Sequence, residues 1–415
     1  MKSIFIAFFF LFITKISLSQ SICNEPANTQ WRIDRKTISN NFVNNVSPRN
    51  ATCPKVVRIN FHFMLRSNGT GNFTETGDNL GNTLTGYQFA KDIVAQMNGN
   101  LSYNSQMNIE PNNSTSVISK NYTFVIDAVY FHRNDSYFSF QSGFGAYSVY
   151  GADNRSVLNI FLTDYQYANG GGGYANDISQ DATVDKFTEN YNFYKGYVNY
   201  RNNIPAGNQY AWVLDGSNKQ LLHETGHLLS LSHTVLKSNG VPCPTVKSTK
   251  YPGTVDTDCD DGCPDTPTAW RITDELEYQQ NVNPILHPGD RDLCGWQQGG
   301  VMWCSNNMMD YSGSQALTPC QLNLIHTGLE GGLKGYTACE GVKTDLSLCD
   351  IGFPKLSYFG KVVTIGCSNS PANLVNGEES TIFFSDNVAL NNFEITGNVN
   401  FEVVKQTNCC TTSLP

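Results

Sequence analysis

Leu221-Leu222-His223-Glu224-Thr225-Gly226-His227-Leu228-Leu229-Ser230-Leu231-Ser232-His233 is the stretch on which the reading of this chain turns. On a helix, His223 and His227 stand four residues apart and project from one face, one turn from each other. Two imidazole nitrogens so placed reach one Zn²⁺ at about 2.0–2.1 Å. Glu224 lies one position round, close enough to take a proton from a water that the metal activates, without ligating. A catalytic zinc needs a third protein ligand and an open position. His233 comes six residues after His227, too far round to share the face if the helix continued. The spacing therefore predicts a helix that ends near Ser230 and a turn that brings His233 under the metal. Glu275 or Glu277 is the alternative third ligand, and zinc binding that survives loss of His233 would identify it. The competing explanation is that three of the seven histidines fell on a leucine-rich core helix by accident. HExxH followed by a further His at this distance is far more specific than HExxH alone.

The chain opens with Lys2, an apolar run from Ile4 to Ile13, and small residues at Ser17 and Ser19. This is the layout of a secretory signal peptide over residues 1–19. The run is short for a bilayer span and no later stretch reaches its length, so no transmembrane anchor is expected. A lipidated Cys23 is the rival reading, and Gln20-Ser21-Ile22 before it is a poor match to the small-residue box such processing needs. In an exported chain, 13 cysteines imply disulfides. Their odd number leaves at least one thiol unpaired, metal-bound or intermolecular. The net charge of -9, with no Lys/Arg cluster, argues against nucleic acid as a partner. Sequons at Asn50, Asn68, Asn72, Asn100 and Asn121 matter only in a host that glycosylates them.

Residues 20–55 are polar, Asn-rich and weakly patterned, and read as a pro-segment or N-terminal arm. Alternation over Val57–Phe63 predicts a strand with one face buried and His62 on its polar face in a structural role. Helical spacing of Phe89, Ile93, Val94, Met97 and Leu101 predicts a helix over Tyr87–Leu101. Strands are expected at Tyr122–Phe131, Val157–Leu162 and Ala211–Leu214, the last turning through Asp215-Gly216 into the histidine helix. Gly170–Gly173 lacks the Lys and following helix of a phosphate loop. From about 235 to 317 periodicity fades into a Cys-, Asp-, Pro- and Gly-rich segment, which disulfides and metal would pin. Thr318-Pro319 starts a last helix, with Thr as N-cap, Pro at the first helical position, and Leu322, Ile325 and Leu329 on one face. Beyond about 340 the runs 361–365, 380–384 and 400–404 are β-rich. They suggest a small module with Cys367, Cys409 and Cys410 as staples.

The histidine stretch resembles the metzincin signature H-E-x-x-H-x-x-G-x-x-H, with Ser230 in place of the glycine. That glycine ordinarily takes a positive φ as the helix ends. Ser there costs on the order of 1 kcal/mol, or the turn is built differently. Asn307-Met308-Met309-Asp310-Tyr311 is similar to the Met-containing turn of the same proteins, with Met309 as its methionine and Tyr311 placed to approach the zinc or the oxyanion. With Asp265-Thr266-Pro267 before it and Thr318-Pro319-Cys320-Gln321 after it, the order resembles the pappalysin-type metzincins over roughly residues 56–335. The resemblance implies an α/β (α+β) catalytic domain over 56–338, with a twisted mixed sheet, a zinc-binding active-site helix, a Met-turn subdomain and a cleft between them. It also implies Ca²⁺ near the acidic loop, with Asp261, Asp265 and Thr266 as ligands, against the alternative of a solvated acidic loop. The resemblance further implies a latency switch in which a pro-segment cysteine takes the open zinc position, with Cys23 as the candidate, against the alternative of a Cys23–Cys53 disulfide. The tail, 339–415, resembles short β-repeat segments of exported Bacteroidetes proteins, which implies export or surface attachment. The expected function is a secreted zinc-dependent endopeptidase acting on protein or peptide substrates, with Glu224 as base. The alternative is a secreted binding protein that keeps zinc on an inactive protease fold.

Overall fold

The computed structural model describes residues 54–78, 83–108, 114, 117–139, 146–164, 173–175, 187–190, 209–231, 234, 237–238, 241–242, 263, 265–266, 296–298, 301–303, 306–309, 315–341, 345–348, 355–366, 372–375, 381–385, 387–390, 393–396 and 401–404. Residues 1–19, the 20–53 segment with Cys23 and Cys53, and the pairs Cys409/Cys410 and Glu275/Glu277 lie outside this set, as does Cys367.

The alternating run 57–63 forms the middle of β1 (Lys55–Leu65). The chain continues through α1 (Gly86–Leu101), β2 (Tyr122–Arg133), the short helices α2 (Asp135–Phe138) and α3 (Ala146–Tyr150), and β3 (Leu158–Leu162). β4 (Gly173–Ala175) and β5 (Phe187–Asn190) complete a five-stranded sheet in the order β2-β1-β3-β5-β4. β2, β1, β3 and β5 run parallel and β4 antiparallel at the edge, so the sheet is mixed. α4 (Gln209–Leu228) follows, then the small hairpins β6–β7 (Lys237–Ser238, Val241–Pro242) and β8–β9 (Trp296–Gln298, Val301–Trp303), and α5 (Pro319–Glu330). Val57, Ile59, Phe61 and Phe63 of β1 share one core with Phe89, Ile93 and Met97 of α1. Leu214, Leu221 and Leu222 of α4 and Leu322, Ile325 and Leu329 of α5 join it. α5 starts as the sequence predicts: Thr318 is its N-cap in a full capping box with Gln321, and Pro319 is its first residue.

Two expectations fail. β1 is buried on both faces from Val57 to Leu65, because it lies inside the sheet and its polar side chains pair with one another rather than with water. Arg58 bonds Asp127, Asn60 bonds Asn159 and the Ala152 carbonyl, and His62 bonds Asn159 and His132. The structural role read for His62 stands in a different setting, stacked on Tyr130, His132 and Phe161. Residues 211–214, expected as a strand, are the first turns of α4. Four apolar residues do not distinguish strand from helix by periodicity. Here the buried helical face runs Leu214, Ser217, Asn218, Leu221, Leu222, Thr225, and its three polar members hide the period.

A register shift between β1 and β2 leaves Asp127 without a partner in β1: Ile59 pairs Ile126, and Asn60 pairs Ala128. The core face of β2 thereby moves from Phe124 and Ile126 to Val129 and Phe131. Asp127, fully buried, accepts from Arg58 on one oxygen and from Lys355 on the other, at 2.7 and 2.9 Å. Lys355 also reaches Asp153 at 2.7 Å. Burial opposes its charge, but these two carboxylates outweigh that and raise its pKa.

Lys355 belongs to the chain's last structural part. Through a 3-10 turn (Lys334–Tyr336) and α6 (Ala338–Gly341) the chain reaches β10 (Leu346–Leu348), β11 (Ser357–Phe359), β12 (Val362–Ile365), β13 (Ala372–Val375), β14 (Thr381–Phe384), β15 (Asn387–Leu390), β16 (Phe393–Thr396) and β17 (Phe401–Val404). β12, β13 and β14 pair in parallel with β15, β16 and β17 respectively. A chain that visits three sheets in the same order twice, always in parallel, is coiling. The sequence shows the β-rich runs but not the coil. At Leu356, the Asp127 carbonyl accepts a backbone N–H, and the Ser357 hydroxyl donates to the Ile126 carbonyl. β11 is thus held against the bulge of β2.

Candidate metal centre

α4 carries His223, Glu224 and His227 through its last two turns, all buried. It ends with Ser230 at φ +81°. The Leu231 N–H bonds the Gly226 carbonyl at 2.9 Å and the Ser230 N–H bonds the His227 carbonyl at 3.0 Å. These are the paired bonds of a Schellman stop with Ser230 as its left-handed residue. The turn is therefore the one a glycine would make, built with serine, and the strain expected from the sequence is present.

The stop does more than end the helix. It turns the Leu231 carbonyl back onto His227, whose Nδ1 donates to it at 2.9 Å. Nδ1 of His223 donates to the Met308 carbonyl at 2.9 Å. A carbonyl oxygen only accepts, so each Nδ1 must carry the ring hydrogen and each neutral ring keeps its lone pair on Nε2. The rings lie one turn apart with centroids 4.9 Å from each other, nearly perpendicular. Burial first, and then His227, push the His223 pKa down to about 3 against the Met308 bond. His223 is therefore neutral at ordinary pH, the form in which imidazole binds metal. Two neutral histidines with Nε2 lone pairs, one helical turn apart and beside a buried glutamate, suit a Zn²⁺ ion.

Met308 and Met309 lie beneath the helix. A Cβ on Gly226 would stand 2.5 Å from the Met309 sulfur and 3.1 Å from the Met308 methyl, so only glycine lets the methionine approach this closely. Asn307 shapes the turn: its Oδ1 accepts the Met309 N–H at 2.8 Å. Its Nδ2 donates to Gln321 Oε1 at 2.7 Å, and Gln321 Nε2 donates back at 3.1 Å. Asn306 and Asn108 exchange side-chain to backbone bonds at 2.9 and 3.0 Å on the outer side. The Thr234 N–H bonds the Met309 carbonyl at 3.3 Å. His233 and Tyr311 lie outside the described residues; their neighbours Leu231, Thr234 and Met309 are the residues anchored here.

Of the residues read as calcium ligands, Asp261 is outside the described set. Asp265 Oδ2 accepts the Cys320 N–H at 2.9 Å, and the Thr266 hydroxyl donates to the Cys263 carbonyl at 2.7 Å. Cys263 and Cys320 form a disulfide. Asp265 therefore serves the start of α5, where a carboxylate also suits the helix dipole. With Pro319 lacking an N–H, Asp265 on Cys320 and Thr318 on Gln321, the first-turn donors are satisfied. Cys263, Asp265 and Cys320 cluster tightly enough to hold an ion, but both sulfurs are spent in the disulfide. What sequence reading missed is the backbone: the Leu231 and Met308 carbonyls leave no residue-type signal, and Asn307 and Gln321 served there only as spacing marks.

No family model and no curated protein matches this chain. Among solved structures it is similar to a mutant of promirolysin from Tannerella forsythia. The identity is 12% over 75% of this chain and 92% of that one, with a TM-score of 0.38. So slight a likeness leaves the site to be judged on its own geometry.

Proposed function

We propose that the protein is a secreted zinc-dependent endopeptidase. His223 and His227 hold the metal, His233 completes the set, and Glu224 is the general base. The observation that carries this reading is the pair of Nδ1–H bonds to the Met308 and Leu231 carbonyls, which supplies two neutral Nε2 donors on adjacent turns. Zinc, when bound, polarises a scissile carbonyl and makes water more acidic. Glu224 takes the proton of the attacking water and delivers it to the leaving amine nitrogen. Tyr311, two residues beyond the buried Met309, is assigned to stabilise the oxyanion. Export is supported by the Cys263–Cys320 disulfide, and among the described residues no helix is long and apolar enough to cross a membrane. Calcium at Asp261, Asp265 and Thr266 and a Cys23 latency switch remain parts of the proposal that rest on the sequence. The rival reading, a binding protein on an inactive fold, leaned on Ser230, yet Ser230 closes the helix with the turn that aims the Leu231 carbonyl.

The test is digestion of a proteome-derived peptide library by the mature protein beside Glu224→Ala, both supplied with zinc. Cuts made by the native protein and missing from the variant support the peptidase. Identical products from both, or none from either with zinc bound and any pro-segment removed, favour the binding protein.

A further inference from the structure

α5 touches neither histidine through any bond described above, yet its third residue reaches the metal centre in three steps. Gln321 exchanges two amide bonds with Asn307. Asn307 Oδ1 also holds the Met309 N–H, and this turn presents the Met308 carbonyl to His223 Nδ1. Both amides are buried, at 0% and 1% exposure. A primary amide in that setting has two donors and two acceptor sites to satisfy. Asn307 Oδ1 accepts twice and Gln321 Oε1 accepts twice, from Asn307 Nδ2 and from the Thr318 N–H. A pair so committed has one arrangement, because flipping either amide would set oxygen against oxygen.

The capping box and the amide pair share Gln321 but use different atoms. Capping needs Gln321 only as an acceptor, and the Thr318 hydroxyl as the acceptor for the Gln321 N–H. Fixing Asn307 needs Gln321 Nε2 as a donor. A helix cap alone has no use for that donor.

We propose that Gln321 and Asn307 are positioning residues for the metal site. Their reciprocal amide pair locks the 306–309 turn so that the Met308 carbonyl fixes the tautomer and ring orientation of His223. The inference rests on reading His223 as a zinc ligand. Removing an outer partner of a ligating histidine typically weakens metal binding 10–100-fold; acting through one further residue, Gln321 belongs at the lower end.

The two roles separate by substitution. Gln321→Glu keeps an acceptor for Thr318 and Asn307 Nδ2 but turns the donor facing Asn307 Oδ1 into a second acceptor. Asn307→Ser keeps an oxygen for the Met309 N–H and loses the pair, which covers the case in which the buried glutamate prevents folding. Thr318→Ala removes the cap and leaves the pair. Zinc affinity of the mature protein is read by competition with a chromophoric chelator, and stability of the metal-free form by thermal melting. Expected are a roughly tenfold weaker zinc affinity for Gln321→Glu and Asn307→Ser, and for Thr318→Ala a melting point lower by a few degrees with zinc affinity within twofold of native. Native affinity in Gln321→Glu and Asn307→Ser, or an equal loss in Thr318→Ala, overturns the positioning role. Zinc binding by the native protein that is indifferent to His223→Ala overturns instead the reading on which the proposal stands.

Discussion

Gly226→Ala sets two effects of known sign against each other. In an open helix interior the change stabilises by about 1 kcal/mol, since alanine is the better helix former. Here the new methyl lies 2.5 Å from the Met309 sulfur, about 1 Å inside ordinary contact, and 3.1 Å from the Met308 methyl, a few tenths of an ångström inside it. Met309 is fully buried and its N–H is held by Asn307, so its side chain has little room to yield. Overpacking of this kind costs typically 1–3 kcal/mol, leaving a net loss of roughly 0–2 kcal/mol. A double-mutant cycle removes the ambiguity. Met309→Ala alone empties part of the core and costs about 2–5 kcal/mol. In Gly226→Ala/Met309→Ala the added methyl meets no sulfur, so the helix-propensity gain returns and the pair should couple by at least ~1 kcal/mol. Guanidinium unfolding of the four proteins, metal-free, measures this. Additivity within about 0.5 kcal/mol, or a single Gly226→Ala variant more stable than native by the full propensity gain, would refute the close approach of the turn to the helix.

Ser230→Gly should raise stability by about 0.5–1 kcal/mol. It relieves a left-handed serine, worth ~1–2 kcal/mol, and gives back part of that as extra freedom of the unfolded chain; a melting point unchanged from Ser230→Ala would contradict the positive φ. The His62–His132 pair predicts acid sensitivity. Burial, then His132, hold the His62 pKa near 3 against its Asn159 bond, and burial holds His132 near 4. An unfolded histidine titrates near 6.5, so below that pH the unfolded chain takes up protons that folded His62 refuses. Stability from His62 is complete above pH 6.5 and is lost as pH falls toward 3, by roughly 3 kcal/mol at pH 4. Urea midpoints at pH 7 and pH 4 should lie further apart in the native protein than in His62→Gln; a variant with the native pH slope would show that His62 carries none of it.

The parts legible in sequence were those written in residue types at fixed spacing. Thr318, Pro319 and Gln321 announced α5 to the residue, and the apolar rows of α1 and β1–β3 announced the sheet and its first helix. The stop of α4 near Ser230 followed from where His233 stands, and the left-handed serine was one of two outcomes allowed. What stayed hidden was written in the backbone. The Leu231 and Met308 carbonyls that orient the histidines would be supplied by any residue at those positions. The burial of Arg58, Asn60 and His62 on the second face of β1 looked like solvent exposure, because polar groups that satisfy one another and polar groups that meet water share the same alternation. The start of α4 was lost for the same reason, through Ser217 and Asn218 on its buried side.

The bulge at Asp127 has a consequence for how the chain stays in solution. β2 is an outer strand of the five-stranded sheet, and outer strands carry backbone donors and acceptors that template pairing with other chains. Around Ile126–Ala128 that rim is occupied by Lys355, Leu356 and Ser357 of the same molecule, with the Lys355 ammonium paired to the buried Asp127. Loss of the C-terminal coil therefore strips a guard from the sheet and leaves a buried aspartate short of a cation. The shortened protein is expected to fail first by self-association.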